Sequence, residues 1–123
     1  MNVTAVLDTN IVIDFLLGRP EALGEMGRYD RRAISLITWI EVLAGAKDEA
    51  EESALEGVLA QFELLGIGME VAGMAAGLRR TRKIRLPDAL IWASAIHAGG
   101  LLVTRNTRDF PENEPGIRIP YRI

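Results

Sequence analysis

The sequence predicts an α/β protein: a small, mostly parallel sheet of four to five strands, flanked by helices on both faces. Three observations predict it. Short apolar runs that lack polar alternation, at residues 3–7 and 101–104, read as strands buried on both sides. Segments with apolar residues at helical spacing separate these runs, and such alternation favours a parallel sheet. The 123 residues, 49% apolar and 25% charged, fit one globular domain over 1–123 and argue against disorder.

In chain order, residues 3–7 form the first strand, which Asp8 closes. Residues 11–17 follow as a helix stopped by Gly18, Arg19 and Pro20, and 21–28 add a short second helix. Ala33, Ile34 and Ser35 make the second strand. Thr38 then opens a helix through Ala46, and Thr38 with Glu41 fits a capping box. Across 49–62, Ala50, Ala54, Leu55, Val58, Leu59 and Phe62 recur at helical spacing against an acidic outer face. Residues 64–67 are the third strand, and 69–82 a helix in which Gly73 and Gly77 admit a close neighbour. Pro87 suits the first position of the next helix, which runs to Ala98 and stops at Gly99 and Gly100. Residues 101–104 form the fourth strand, 105–109 a polar loop and 116–121 a last, short edge strand.

Composition removes several classes of function. With no cysteine there is no disulfide framework, no thiolate chemistry and no sulfur-bound zinc, which is compatible with a reducing cytoplasm. The Met1 segment lacks the basic and long apolar regions of a secretion signal, because Asp8 interrupts it. The longest apolar tract, 89–103, contains Ser94, His97 and two glycines and is shorter than the ~20 residues a membrane span needs. Gly66-Ile67-Gly68 lacks the third glycine of a dinucleotide fingerprint, and there is no phosphate-loop lysine motif. The net charge of −3 gives no general affinity for nucleic acid, so any such binding must come from local patches.

The chemistry-bearing residues are acids at element junctions. Taken singly, each has a structural explanation. Asp8 is a favoured helix N-cap, Glu41 completes the capping box, and Asp88 sits in a first helical turn where the macrodipole favours negative charge. Asn106 and Asp109 suit the local hydrogen bonds of a turn-rich loop. Capping does not require four acids from distant segments to fall at strand ends and helix starts, which a parallel sheet would gather at one rim. Carboxylates gathered in this way repel one another, and a divalent cation resolves the conflict. Oxygen ligands with a lone His97 point to a hard ion, Mg2+ or Mn2+, and hence to phosphoester chemistry.

These motifs resemble the PIN-domain ribonucleases, and within them the VapC-type toxins of bacterial and archaeal toxin-antitoxin pairs. The resemblance covers nearly the whole chain. It rests on Val6-Leu7-Asp8-Thr9-Asn10, on Ile40-Glu41, on Leu86-Pro87-Asp88-Ala89-Leu90-Ile91, and on residues 102–110 with Thr104, Arg105, Asn106, Arg108 and Asp109. It implies a metal-dependent endoribonuclease with Asp8 and Asp88 as metal ligands and Glu41 as a water-mediated ligand or water-orienting base. Asn106 and Asp109 complete the rim. Some PIN domains carry an acid at the position of Asn106, so the amide either weakens a second metal site or passes that role to Asp109. Thr9 and Thr104 are placed to orient carboxylates, although Thr9 could equally cap the helix. The resemblance further implies a homodimer, a cognate antitoxin covering the site and an RNA substrate.

Arg82, Lys83 and Arg85 belong to a basic cluster before Asp88, and Arg105 and Arg108 flank the last loop; together they are candidates for RNA phosphates, or else a solvated helix end. Trp39 and Trp92 read as core or dimer contacts, and His97 as structural. Gly73-x-x-x-Gly77 suits a close-packed soluble helix pair at a dimer interface. Phe15 and Leu16 could contact an antitoxin or fill the core. Two other functions compete with the ribonuclease. One is a phosphatase of the aspartyl-phosphate type with Asp8 as nucleophile, although Asp8-x-Asn10 lacks the usual second acid. The other is a non-catalytic binding module whose acids only cap helices.

Overall fold

The computed structural model describes residues 3–123; Met1 and Asn2, which begin the segment read above as lacking a secretion signal, lie outside the described residues. Its elements are β1 (Thr4–Leu7), α1 (Thr9–Leu16), α2 (Pro20–Met26), β2 (Arg31–Ser35), α3 (Leu36–Ala44), α4 (Glu49–Leu59), β3 (Glu63–Leu65), α5 (Met69–Arg82), α6 (Leu86–His97), β4 (Leu101–Val103) and β5 (Ile117–Arg118). The strands form one sheet in the order β3-β2-β1-β4-β5, and every pairing is parallel.

Strand alternation divides the core into two layers. Val6, Ala33 and Leu102 face a cluster with Val71 and Ala75 of α5 and Ala89, Ile91, Trp92, Ala93 and Ala95 of α6. Ala5, Leu7, Ile34 and Val103 face the other way, onto Ile11, Val12, Met26, Val42, Leu59 and Phe62 from α1 to α4 and the segment after α4. Both faces of β1 are therefore covered, as expected from its unbroken apolar run.

Several predicted boundaries shift for local reasons. α1 begins at Thr9, two residues earlier than predicted, because Asp8 is its N-cap and accepts from the Thr9 backbone N–H. α3 begins at Leu36, before Thr38, because Ser35 caps it by accepting from the Ile37 N–H. Thr38 is thus fully buried inside the helix, and the predicted capping box with Glu41 does not form. α4 ends at Leu59, β3 moves to Glu63–Leu65, and the last strand keeps only Ile117–Arg118.

Two glycine readings also change. Among the described residues, a Cβ on Gly73 would meet nothing within 4 Å and one on Gly77 only the Arg80 side chain at 3.7 Å, so no other described element packs closely there. The close approach is instead at Gly100, where a Cβ would lie 2.8 Å from the Thr4 carbonyl oxygen and 3.1 Å from Val6 Cγ2. Gly99, at φ 65°, reverses the chain after α6, and Gly100 lets β4 lie against β1. No helix among the described residues is long and apolar enough to cross a membrane.

Candidate active site

The sheet order places a switch point between β1 and β4: the chain builds outward through β2 and β3, then returns to the other side of β1. Crevices beyond the strand ends at such points are where open α/β sheets gather their ligands. Asp8 follows β1 at this crevice, and its backbone N–H donates to the Val103 carbonyl of β4 at 2.9 Å.

Asp8 is 3% exposed, and both its oxygens are held. Oδ1 accepts from the Thr9 N–H at 2.7 Å, and Oδ2 accepts from the Thr104 hydroxyl at 2.7 Å and the Asn10 amide at 3.2 Å. Burial still raises its pKa above the ordinary carboxylate value; these hydrogen bonds offset only part of that effect, and the nearby charge of Glu41 adds to it. Asn10 also reaches Thr104 at 3.3 Å and accepts from the Arg105 backbone N–H at 3.3 Å, tying the β1 and β4 exits together.

Glu41 lies on the exposed side of α3, and the Thr9 hydroxyl donates to its Oε1 at 2.6 Å. Thr9 Oγ1 also lies 3.0 Å from Thr38 Oγ1, so a buried hydroxyl fixes the residue that fixes Glu41. Thr9 and Thr104 thus both donate to carboxylates.

Asp88 lies in the first turn of α6, where Pro87 sits within the first two positions. Burial, then the adjoining Asp109 carboxyl, then the charge of Asp8 push its pKa up to about 6. Its Oδ2 is buried with no hydrogen-bond donor. Arg85 is 3.3 Å away, an ion-pair contact without hydrogen-bond alignment. Asp109 is the counterpart: the Asn106 amide donates to its Oδ2 at 3.0 Å and holds its pKa below the ordinary range despite some desolvation. The Asn106 carbonyl in turn accepts the backbone N–H groups of Arg108 and Asp109, so Asn106 organises the loop that presents Asp109.

The predicted cations separate into two groups. Arg105 donates to Asp14 from Nε at 2.7 Å and from a terminal nitrogen at 3.1 Å, and Arg82 pairs with Glu114 at 2.9 Å while stacking 5.2 Å from the Trp92 ring centre. Both are paired within the molecule, Arg105 half-buried and Arg82 exposed. Lys83, Arg85 and Arg108 are exposed, and of these Arg85 reaches the site, 3.0 Å from Asp109 and 3.3 Å from Asp88. Trp92 is a core residue with its ring edge-on to Phe110, whereas His97 is exposed beside Glu70 at 3.3 Å.

Three contributors escaped the sequence reading: Asn10, Thr38 and Asp14. Asp14 is 1% exposed, and an acid inside the apolar stretch of α1 was the available signal for it. Next to the site, a cavity of about 300 Å3 runs between α1, α3 and α4, lined by Ile13, Leu16, Leu17, Val42 and Leu55 and by the acids Glu41 and Glu51.

The site's donors fit a hard cation in one specific sense. Among the described residues no three acidic or histidine side chains close a metal cage. A buried, donorless Asp88 oxygen beside a buried Asp8 nevertheless matches Mg2+, which binds through few carboxylates and completes its shell with water and phosphate oxygens.

The PIN domain profile matches residues 5–114. A toxin-antitoxin complex from Klebsiella pneumoniae contains a chain 42% identical to this one, with TM-score 0.90, covering 97% of this chain and 99% of that one. In DNA-bound VapBC from Salmonella typhimurium the matching chain is 30% identical, with TM-score 0.76 and coverage of 95% and 96%. VapBC2 from Rickettsia felis, bound to a DNA fragment from its promoter, is 20% identical with TM-score 0.76, covers 94% and 96%, and shows the fold alone. No curated protein matches the sequence.

Proposed function

The chain belongs to the PIN domain family, and from that premise we propose that it is the endoribonuclease toxin of a type II toxin-antitoxin pair, hydrolysing RNA phosphodiester bonds with Mg2+ or Mn2+. Hydrolysis of nucleic acid is the family-level activity; RNA as substrate and the identity of the ion are the proposed refinements. The observation that carries the reading is the buried, donorless Oδ2 of Asp88 at the rim where Asp8 closes β1.

In this reading Asp8 and Asp88 hold the ion. When bound, it neutralises the gathered acids and polarises a phosphate oxygen. Glu41, with one oxygen fixed by Thr9, orients an attacking water and takes its proton as the water oxygen bonds to phosphorus. The bond from phosphorus to the 3′ oxygen breaks, leaving a 5′-phosphate, and solvent protonates the departing oxygen. Asn106 keeps Asp109 ionised beside Asp88, while Lys83, Arg85 and Arg108 contact neighbouring phosphates. The aspartyl-phosphate alternative loses support, because the second acid it needs two residues after Asp8 is replaced by Asn10, whose amide only donates to Asp8 Oδ2. Capping alone explains Asp8 but not Glu41, which caps nothing.

The named complexes support an antitoxin partner, for which the apolar cavity beside Glu41 is the proposed seat. A homodimer formed through the Gly73 and Gly77 stripe of α5 is proposed because, among the described residues, a Cβ on Gly73 would meet nothing within 4 Å and one on Gly77 only the Arg80 side chain. The test is RNA cleavage by purified Asp8→Asn and Asp88→Asn. Both are expected to lose activity by at least about a hundredfold while keeping the circular dichroism spectrum, and EDTA is expected to silence the wild type. Cleavage unchanged in either variant, or persisting in excess chelator, overturns the proposal.

A further inference from the structure

The acid site already contains a positive charge of its own. Arg85 stands at the N-cap of α6 without a side-chain capping bond, its carbonyl fixed by the Ala89 N–H at 2.9 Å. One terminal guanidinium nitrogen lies 3.0 Å from Asp109 Oδ2 and 3.3 Å from Asp88 Oδ2. The contrast in burial is large: the Arg85 side chain is 67% exposed, those of Asp88 and Asp109 only 13% and 16%. The acids are built into the fold, and the cation reaches over them from solvent.

We infer that Arg85 is a displaceable internal counter-ion, which bridges Asp88 and Asp109 in the metal-free protein and must swing away for a divalent cation to bind. The inference rests on the reading of Asp88 as a metal ligand. Its physical basis is competition: a guanidinium and a divalent ion on the same Asp88 oxygen would repel across a few ångströms in a partly desolvated pocket. Departure costs little at either end. Asp109 Oδ2 keeps the Asn106 amide, and Asp88 Oδ2 has no aligned hydrogen bond to lose. The freed side chain returns to water, where a long, exposed cation is well solvated. The charge of Arg85 therefore weakens metal binding, and it sets the ion concentration at which the site fills.

The experiment is calorimetric titration of Mn2+ into the full chain, at one pH and ionic strength, for the wild type, Arg85→Met and Arg85→Lys. Removing the charge in Arg85→Met is expected to tighten Mn2+ binding by about three- to tenfold, the range for one or two exposed ion pairs, whereas Arg85→Lys stays near the wild type. The unfolding midpoint should also rise more on Mn2+ addition in Arg85→Met than in the wild type. Equal or weaker binding by Arg85→Met, or tightening by Arg85→Lys to the same degree, overturns the counter-ion role. If binding is also lost in Asp88→Asn, that failure leaves the nuclease reading intact. Absence of Mn2+ binding by all of these proteins overturns both.

Discussion

At the residue scale, Thr9 performs two functions that the sequence left as alternatives. Its backbone N–H satisfies Asp8 and its hydroxyl satisfies Glu41, so one residue after β1 sets the orientation of two acids from different elements. The hydroxyl can be removed without changing the shape of the side chain, as in Thr9→Val. Glu41 would then lose the Thr9 hydroxyl as donor while the backbone bond to Asp8 stays. Partners that orient site carboxylates typically contribute 10- to 100-fold, so RNA cleavage by Thr9→Val is expected to fall by about that factor, and Thr9→Ser to recover most of it. Steady-state cleavage kinetics beside a thermal melt check this; a loss of activity matched by a large loss of stability would mean that Thr9 acts on the fold. The motif around Asp8 made Thr9 legible, because its neighbours in sequence carried the signal. Thr38 and Asn10 were not legible, since their partners lie 29 and 94 residues away and only the folded sheet brings them together.

At the element scale, the start of α3 decides which side Glu41 presents. Ser35 is both the last residue of β2 and the cap of α3, so strand and helix meet with no loop between them. A sequence pattern assigns each residue to one element, which is why Thr38 looked like the first polar residue available for capping. With Ser35 as cap, Thr38 and Val42 turn inward, and Glu41 is released from any capping duty to face the site. The two assignments differ in a measurable way. Ser35→Ala is expected to lower unfolding stability by about 0.5–2 kcal/mol, the usual cost of a lost N-cap, whereas Glu41→Gln changes it by less than about 0.5 kcal/mol. Urea denaturation of both variants distinguishes them, and a Glu41→Gln loss equal to that of Ser35→Ala would restore the capping box. The alternation of elements, the parallel sheet and the span of α5 were all legible, because apolar periodicity encodes them directly. β5 was shorter than read, because its pairing is fixed by β4 rather than by its own sequence.

At the scale of the whole molecule, two kinds of buried acid oppose each other. Asp14 on α1 and Glu25 on α2 are clamped from the C-terminal part of the chain: Arg105 and Tyr121 donate to Asp14, Arg118 to Glu25, and Tyr29 also donates to Glu25 at 2.6 Å. Burial is the largest single influence and would raise both carboxyls, but the arginine and tyrosine hydrogen bonds together with the arginine charges exceed it and hold them below their ordinary values of 3.8 and 4.5. A depressed acid contributes stability that is present above its unfolded pKa and lost as pH falls through the folded one. Asp8 and Asp88 are raised, and a raised acid gives stability that is full below the unfolded pKa and lost as pH climbs through the folded one. For Asp88 that interval runs from 3.8 to about 6. The metal-free protein is therefore expected to be most stable at about pH 4 to 5, with an acid limb set by Asp14 and Glu25 and a loss toward neutrality set by the site. Melting midpoints in chelator across that range measure both limbs. Asp88→Asn should flatten the loss toward neutrality, and saturating Mn2+ should do the same in the wild type, because the ion neutralises the acid charge that Arg85 offsets only in part. A midpoint that keeps rising from about pH 4 to 7 without metal, or an unchanged profile in Asp88→Asn, would remove the site as the cause.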